Sequence, residues 1–245
     1  MTVPVHSVLF ADTREAADLA AFLGRLLHYD RAAAVRLQAA GGALAVFGRP
    51  PSFDVLAIRT ARLAATGSPG AFDVTVSAGE FLESLGHEGH EGHEGPEGPE
   101  DGDGGAGVLP APVTGPPWAG LLPPRGPWRE IPGLPGPQEL RTMLTTAVGE
   151  FRARDEALPE EHRTRAERDV IGREIWSRPV GGTPLPLRAV HAAQSLGFLR
   201  PQPDFPVSLL SAGSWLRLRT PYGSVALRAE GGGGLGALQV SVGRR

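Results

Sequence analysis

Histidine and glutamate recur between glycines in the segment with the clearest chemical potential. His87, His90 and His93 stand at every third residue, and a glutamate follows each of them. Imidazole and carboxylate groups together suit Zn²⁺ or Ni²⁺. A metal site also needs ligands that are held in place, whereas the glycines leave this backbone free. The repeat therefore predicts a low-complexity spacer, with weak metal binding as an alternative function.

The remaining histidines are candidate bases that lack the partners catalysis requires. They are His6, His28, His162 and His191. Neither His28 nor His191 is close to a serine or aspartate in a nucleophile motif, and the sequence contains no Gly-x-Ser-x-Gly pattern. His191 falls on a partly apolar helix, which favours a packing role. We therefore predict no catalytic, cofactor-binding or metal-binding residue, and a protein that is not an enzyme.

Charged residues and glycines elsewhere indicate surfaces and loops. Acidic residues alternate with arginines after Pro159, a pattern typical of a solvated, salt-bridged helix face. The acidic members are Glu160, Glu161, Glu167, Asp169 and Glu174. The four glycines at 231–234 precede a predicted strand and open no helix, so they form a loop and not a dinucleotide-binding turn.

Composition excludes several classes of protein. The 245 residues carry a net charge of −3, with local values of −1 for 1–85, −6 for 86–136 and +4 for 137–245. A +4 region is far from a strongly basic nucleic-acid-binding domain. The absence of cysteine excludes disulfides and thiolate chemistry. The chain contains neither a signal peptide nor an apolar run of about 20 residues, so we predict a cytoplasmic protein without membrane contact.

The first 85 residues predict a helix followed by four strands and a short second helix. Asp12 or Thr13 caps the first helix, whose alanines and leucines recur at helical spacing up to 28–30. The four β-rich runs are separated by Gly and Pro pairs, which favours a four-strand antiparallel meander. The runs are 33–38, 43–47, 53–58 and 71–76, and the short helix is 80–85.

The remainder predicts a disordered His/Glu/Gly linker at 86–107, a Pro-rich strap at 108–136 and a second α+β unit at 137–245. We call residues 108–136 the strap; its tryptophans predict that it binds a partner or lies across its own chain. The second unit contains three helices and four strands. The helices are at about 137–156, 159–177 and 184–196, and the strands at 207–210, 215–219, 224–228 and 237–242.

Both units run from a helix into four strands, and short stretches of the two resemble each other. Residues 35–41 align with 207–213, 56–59 with 225–228, and 70–76 with 236–242, with offsets of 172, 169 and 166. Two explanations fit: an internal duplication with length changes in loops, or convergence of hairpins rich in Ala, Gly, Val and Leu.

The sequence therefore predicts an α+β protein of two helix-plus-antiparallel-meander units with an inserted helical pair. Its predicted role is a protein-binding or regulatory module, with a protein partner or self-association. The alternative is a winged-helix-like DNA-binding protein. In that alternative the helix with Arg188, His191, Gln194 and Ser195 enters the major groove, 221–223 forms the wing tip, and Arg217, Arg219 and Arg228 contact phosphates.

Overall fold

The computed structural model describes residues 7–65, 70–86, 105–202 and 204–229. These residues form an α+β architecture. Its helices are α1 (Thr13–Tyr29), α2 (Ala78–Gly86), α3 (Pro137–Glu156), α4 (Arg165–Trp176) and α5 (Leu187–Ser195). Its strands are β1 (Ser7–Leu9), β2 (Ala34–Ala40), β3 (Ala43–Gly48), β4 (Leu56–Arg62), β5 (Phe72–Ser77), β6 (Ala106–Val108), β7 (Arg129–Ile131), β8 (Ser208–Ala212), β9 (Trp215–Thr220) and β10 (Gly223–Arg228).

Eight strands form one continuous antiparallel sheet in the order β5-β2-β3-β4-β10-β9-β8-β7, and β1 pairs separately with β6. The two units join where β4 pairs with β10, with Ile58 opposite Ser224. The predicted four-strand meander is correct for β2, β3 and β4 and wrong for β5, which returns beside β2. The reason is that β10 occupies the outer edge of β4, so the free edge of β2 is the one available to β5.

The three central strands of the two units follow the same order and register. Adding 172 to the β2–β3 ladder reproduces the β8–β9 ladder, since Arg36 lies opposite Phe47 and Ser208 lies opposite Arg219. The predicted offset of 169 for the next strand is wrong. It equates Leu56, on the outer face of the sheet, with the inward-facing Val225. The ladders instead equate Arg59 with Val225, an offset of 166.

The core lies between the helices and the inner face of the sheet. The helix α1 packs on β4, and α5 packs on β10 and β9, so each unit covers its own strands with the helix that precedes them. The helix α2 packs on α1, while α3 and α4 pack on α5 or on each other. The rings of Phe22 and Phe198, both buried, stack across the boundary between the units with centroids 5.7 Å apart.

Residues 113–122 of the strap lie across the outer face of the sheet of its own chain, whereas its residues 129–131 form the edge strand β7. The backbone N–H of Val113 donates to the carbonyl of Thr75 over 2.9 Å, which holds the strap at the β5 edge. Trp118 and Leu122 then cover a small apolar cluster on that face, made of Phe47, Leu56, Ile58 and Ala226. The guanidinium of Arg36 donates to the carbonyl of Ala119. One of the two predicted positions of the strap is therefore the one observed.

Local capping explains where the helices differ from prediction. The predicted bounds of α3 match the observed ones, because Pro137 occupies its first turn. The helix predicted at 159–177 is a 3₁₀ turn at Glu160–His162 followed by α4. The Thr164 hydroxyl accepts from the N–H of Glu167 over 3.3 Å, so α4 begins at Arg165. Most of the predicted linker lies outside the described residues, as does the strand predicted at 237–242. Residues 106–107 were predicted as linker, but they belong to β6 because β1 pairs with them.

Candidate functional site

Four rings from both units meet at one end of the helix layer. Tyr29 contacts Phe53 edge to face, with centroids 5.2 Å apart, and Phe53 contacts His191 in the same way at 5.1 Å. The imidazole of His191 stacks on Trp176 at 4.4 Å, with 24° between the planes. We call Tyr29, Phe53, Trp176 and His191 the aromatic cluster. Tyr29 and Phe53 come from the N-terminal unit and the other two from the C-terminal unit.

Element ends and one loop place these rings together. Tyr29 is the last residue of α1, and Trp176 is the last residue of α4. Phe53 lies in the loop between β3 and β4, next to Asp54, whose positive φ of 54° turns the chain. The carboxylate of Asp54 accepts from Arg49 at 2.6 Å, which ties the two ends of that loop together. The aromatic cluster is thus built at the junction of the two units.

A concave cavity of about 930 Å³ opens over the aromatic cluster. Its apolar base includes Phe151 of α3, and its rim carries arginines 168, 173 and 188 with aspartates 54 and 169. Arg168 is paired with Asp155 at 2.7 Å. Arg173 makes no ion pair with any residue that the structure describes, and it is exposed to solvent. The cavity therefore combines an aromatic base with one available cation.

The electrostatics of His191 suit contact more than proton transfer. Burial lowers the pKa of its imidazole, so the ring is neutral at neutral pH. Its ring stacks on Trp176 and contacts Phe53 edge to face. No described residue forms a side-chain hydrogen bond with its ring nitrogens, whereas a general base is normally oriented by such a partner. The prediction that His191 is a packing residue stays a prediction, with these contacts in its favour.

The other residues singled out from the sequence are dispersed. His28 lies beside the cluster, with its ring 5.5 Å from Tyr29, and His162 is exposed on the 3₁₀ turn. His6 and the His/Glu repeat lie outside the described residues. Within the described ranges, no group of three or more potential ligands could hold a metal ion. No described helix is long and apolar enough to cross a membrane.

Of the acidic residues predicted on the salt-bridged helix face, Glu174 forms close ion pairs, and its partners are Arg154 of α3 and Arg178, outside the predicted set. Glu174 lies 2.7 Å from Arg154 and 3.2 Å from Arg178, and Glu150 lies 2.5 Å from Arg178. These bonds lower the pKa of Glu150 and Glu174, chiefly through hydrogen bonding to the arginines. Because these carboxylates are already paired on the surface, they are poor candidates for acid and base chemistry.

The geometry does not match the winged-helix alternative. The helix α5, predicted to enter a DNA groove, packs on the sheet with Leu187, Val190 and all three of its alanines buried, and it also contacts α3 and α4. The predicted wing tip is a tight turn that packs inward: the Tyr222 carbonyl accepts from Arg59 at 2.8 Å. A Cβ on Gly223 would lie 2.4 Å from the ring of Phe198. Neither element is free to contact DNA in the predicted manner.

Sequence reasoning missed Tyr29, Phe53 and Trp176 because they come from three distant segments. One signal was present: aromatic residues are only 6% of this chain, and these three lie at the ends of elements or in a connecting loop. A large ring at such a position needs a partner from another element if it is to be covered.

The fold is that of an α+β protein with two related helix-and-sheet units. Residues 3–120 match the family model described as Domain of unknown function (DUF8010). Residues 123–232 match a second, Domain of unknown function (DUF8185). No curated protein matches the chain significantly.

Similar solved structures include bacterial DNA polymerase sliding clamps. The clamp from Pseudomonas aeruginosa solved with ligand is 12% identical, with a TM-score of 0.44 over 94% of this chain and 65% of the clamp. The DNA polymerase III beta subunit from Thermotoga maritima is 13% identical, with a TM-score of 0.45 over 91% of this chain and 64% of that protein. The present chain therefore spans about 65% of the length of these proteins.

Proposed function

We propose that this protein is a non-enzymatic, cytoplasmic protein-binding module that receives a segment of a partner protein in the cavity over the aromatic cluster. One observation carries the proposal: a cavity of about 930 Å³ at the junction of the units has an aromatic base and an unpaired, exposed arginine at its rim. Concave apolar sites with a few polar groups are the usual places for binding.

The chemistry of the cavity defines the partner segment. Its aromatic base accepts an apolar or aromatic side chain, which gains free energy by leaving water and by ring contact. Arg173 then pairs with the carboxylate of a neighbouring residue of the partner, because it forms no ion pair with a described residue. The partner segment is therefore an aromatic or aliphatic residue beside an aspartate or glutamate.

The division of the chain supports the same proposal. We propose that 1–85 and 137–245 are the two structural units, that the predicted linker, apart from Gly86 of α2 and 106–107 of β6, is a spacer, and that 108–136 is a strap. The cavity draws residues from both units, so a partner bound there contacts both of them. Self-association remains within the proposal if the inserted segment comes from a second copy.

A peptide selection tests this function. Random peptides displayed on phage are selected on immobilised full-length protein and then measured against two variants. Arg173→Glu reverses the available charge, while the matched control Arg152→Glu makes the same change at an exposed arginine of α3 that does not line the cavity.

Selected peptides should carry an apolar residue beside an acidic one. Their affinity should fall about tenfold or more with Arg173→Glu, since a hydrogen bond to a charged group contributes about 1.5–3 kcal/mol. Arg152→Glu should change it less than about twofold. Absence of enriched peptides, or equal binding to all three proteins, would overturn the proposal.

A further inference from the structure

The outer face of the sheet differs between the two units. On the N-terminal half, β3 presents Ala45 and Phe47, and the strap covers Phe47. At the equivalent positions of β9 the chain has Arg217 and Arg219. On the C-terminal half a cavity of about 800 Å³ opens beside Trp128, a strap residue that forms one wall of the space lined by Arg217 and Arg219. The two halves share the same strand order and register, but the outer face is apolar on the first half and positively charged on the second.

Hydroxyl groups flank the two arginines on the neighbouring strands. Arg219 lies directly opposite Ser208 of β8 on one side and Ser224 of β10 on the other. Thr60 of β4 lines the same cavity. Side chains opposite one another on adjacent strands share a face, so these hydroxyls and guanidiniums converge on one space. No carboxylate is among the residues that line it.

One of these groups is buried without an internal partner. The Nε of Arg217 is buried and makes no hydrogen bond within the described residues. Ser224, on the neighbouring strand, is 4% exposed and lines the same cavity. Burial, and then the neighbouring Arg219, lower the pKa of the Arg217 guanidinium. Because buried donors are normally satisfied, an unpaired donor at a cavity indicates that a ligand supplies the acceptor.

We propose that Arg217, Arg219 and Ser224 bind the phosphate group of a small phosphate monoester. The donors exceed what the two oxygens of a carboxylate use in bidentate pairing, whereas a phosphate offers three terminal oxygens. Trp128 provides a wall for the organic part: its indole N–H donates to the Pro124 carbonyl over 3.1 Å, and its ring centroid lies 5.8 Å from the Arg217 guanidinium carbon.

This site is independent of the cavity over the aromatic cluster, which lies in the helix layer on the other side of the sheet. The residues that line the two cavities do not overlap. A failure to bind peptides would therefore count only against the proposed function, and a failure to bind phosphate only against the present inference.

Calorimetric titration with inorganic phosphate, phenyl phosphate and acetate, at constant ionic strength, tests the proposal on the full chain. Both phosphates should bind saturably, phenyl phosphate at least as tightly because its ring adds contact with Trp128. Acetate should bind at least tenfold more weakly. Tight binding of acetate would identify a carboxylate site and overturn the assignment, as would binding of inorganic phosphate alone.

Three variants locate the binding. Arg217→Gln should weaken phenyl phosphate binding about tenfold or more, and Ser224→Ala about threefold. The serine variant keeps the test valid if the arginine variant fails to fold. Arg228→Gln is the matched control, because Arg228 lies over Trp215 on the same face and does not line the cavity. Its effect should stay within about twofold.

Equal weakening by the control would show a general charge effect and overturn the site, as would absence of saturable binding. A single-stranded oligonucleotide that binds far more tightly than phenyl phosphate, through the same residues, would replace the small monoester with nucleic acid.

Discussion

Replacing Phe198 with alanine should destabilise both units together. Phe198 follows α5 and is 2% exposed. Its ring stacks on Phe22 of α1 and lies against the backbone of Gly223 at the start of β10. The side chain therefore touches the helix of one unit and the sheet of the other. Its removal leaves a cavity that neither can fill without moving.

The expected cost is about 4 kcal/mol. Truncation of a buried phenylalanine to alanine typically costs about 3–5 kcal/mol, and full burial between two units places Phe198 within that range. A domain of this kind is stable by only about 5–15 kcal/mol, so the loss is easily measured. Part of it is specific to the ring pair: a double-mutant cycle with Phe22→Ala should give a coupling of about 0.5–1.5 kcal/mol.

Urea unfolding followed by hydrogen exchange and mass spectrometry measures both the size and the reach of the effect. Peptides from α1 and from β8 to β10 should lose protection at the same urea concentration in the wild type and in Phe198→Ala. The control is Val170→Ala, at a side chain that is 49% exposed on α4, which should cost less than about 0.5 kcal/mol. A loss below about 1.5 kcal/mol, or α1 peptides that stay protected after β8 to β10 unfold, would refute the reasoning.

Two further predictions concern charge. Because burial lowers the pKa of folded His191, the unfolded chain binds a proton first as the pH falls below about 6.5, and stability should decline from there. His191→Phe should flatten this decline between about pH 6.5 and 5 in urea midpoints; an unchanged slope would contradict it. Asp18→Asn removes the carboxylate that lies 3.3 Å from buried Arg59 and 2.7 Å from Arg200. Urea midpoints should show that Asp18→Asn lowers the free energy of unfolding by about 2–4 kcal/mol. Asp54→Asn, at a surface ion pair, should lower it by less than about 1 kcal/mol. Equal losses in the two variants would contradict the prediction.

Local patterns were sufficient for most elements of the fold. Capping and helical spacing predicted α1 within a residue or two and α3 at its observed bounds. The start of α4 at Arg165 can also be predicted from the local sequence, because Thr164 and Glu167 have the spacing of a capping box. Pro159 is the more conspicuous start signal, but it precedes a 3₁₀ turn.

Those local patterns did not predict which strands pair with each other across the sheet. Alternation indicates that a strand is half buried, but it does not say which edge will pair with which. The return of β5 to β2 depends on β10 occupying β4, and these strands are far apart in the sequence. The repeat alignment failed at β4 for a related reason. A long loop precedes β4 whereas a tight turn precedes β10, so the offset changes by six residues and not by three.

The candidate sites lie where the two units differ. At equivalent outer positions the first unit has the apolar residues Ala45 and Phe47, against which the strap packs. The second unit has Arg217 and Arg219 there. A shared backbone plan with buried inner faces constrains the residues that pack in the core. The outer residues are free of that constraint, so the first unit can present an apolar surface to the strap while the second presents arginines to a cavity.

The same argument applies to the helix layer. The helix α1 leads directly into its strands, whereas the C-terminal unit first contributes α3 and α4 before α5. Among the described residues no helix precedes α1, whereas α3 and α4 supply Phe151, Arg173 and Trp176 to the cavity over the aromatic cluster. The pairing of β4 with β10 fixes the distance between the units, and the inserted helices convert their junction into a concave site. If the proposed binding site is correct, removing its function should therefore require changes in the helices or in the β3–β4 loop that line the cavity, and not in the repeated strands.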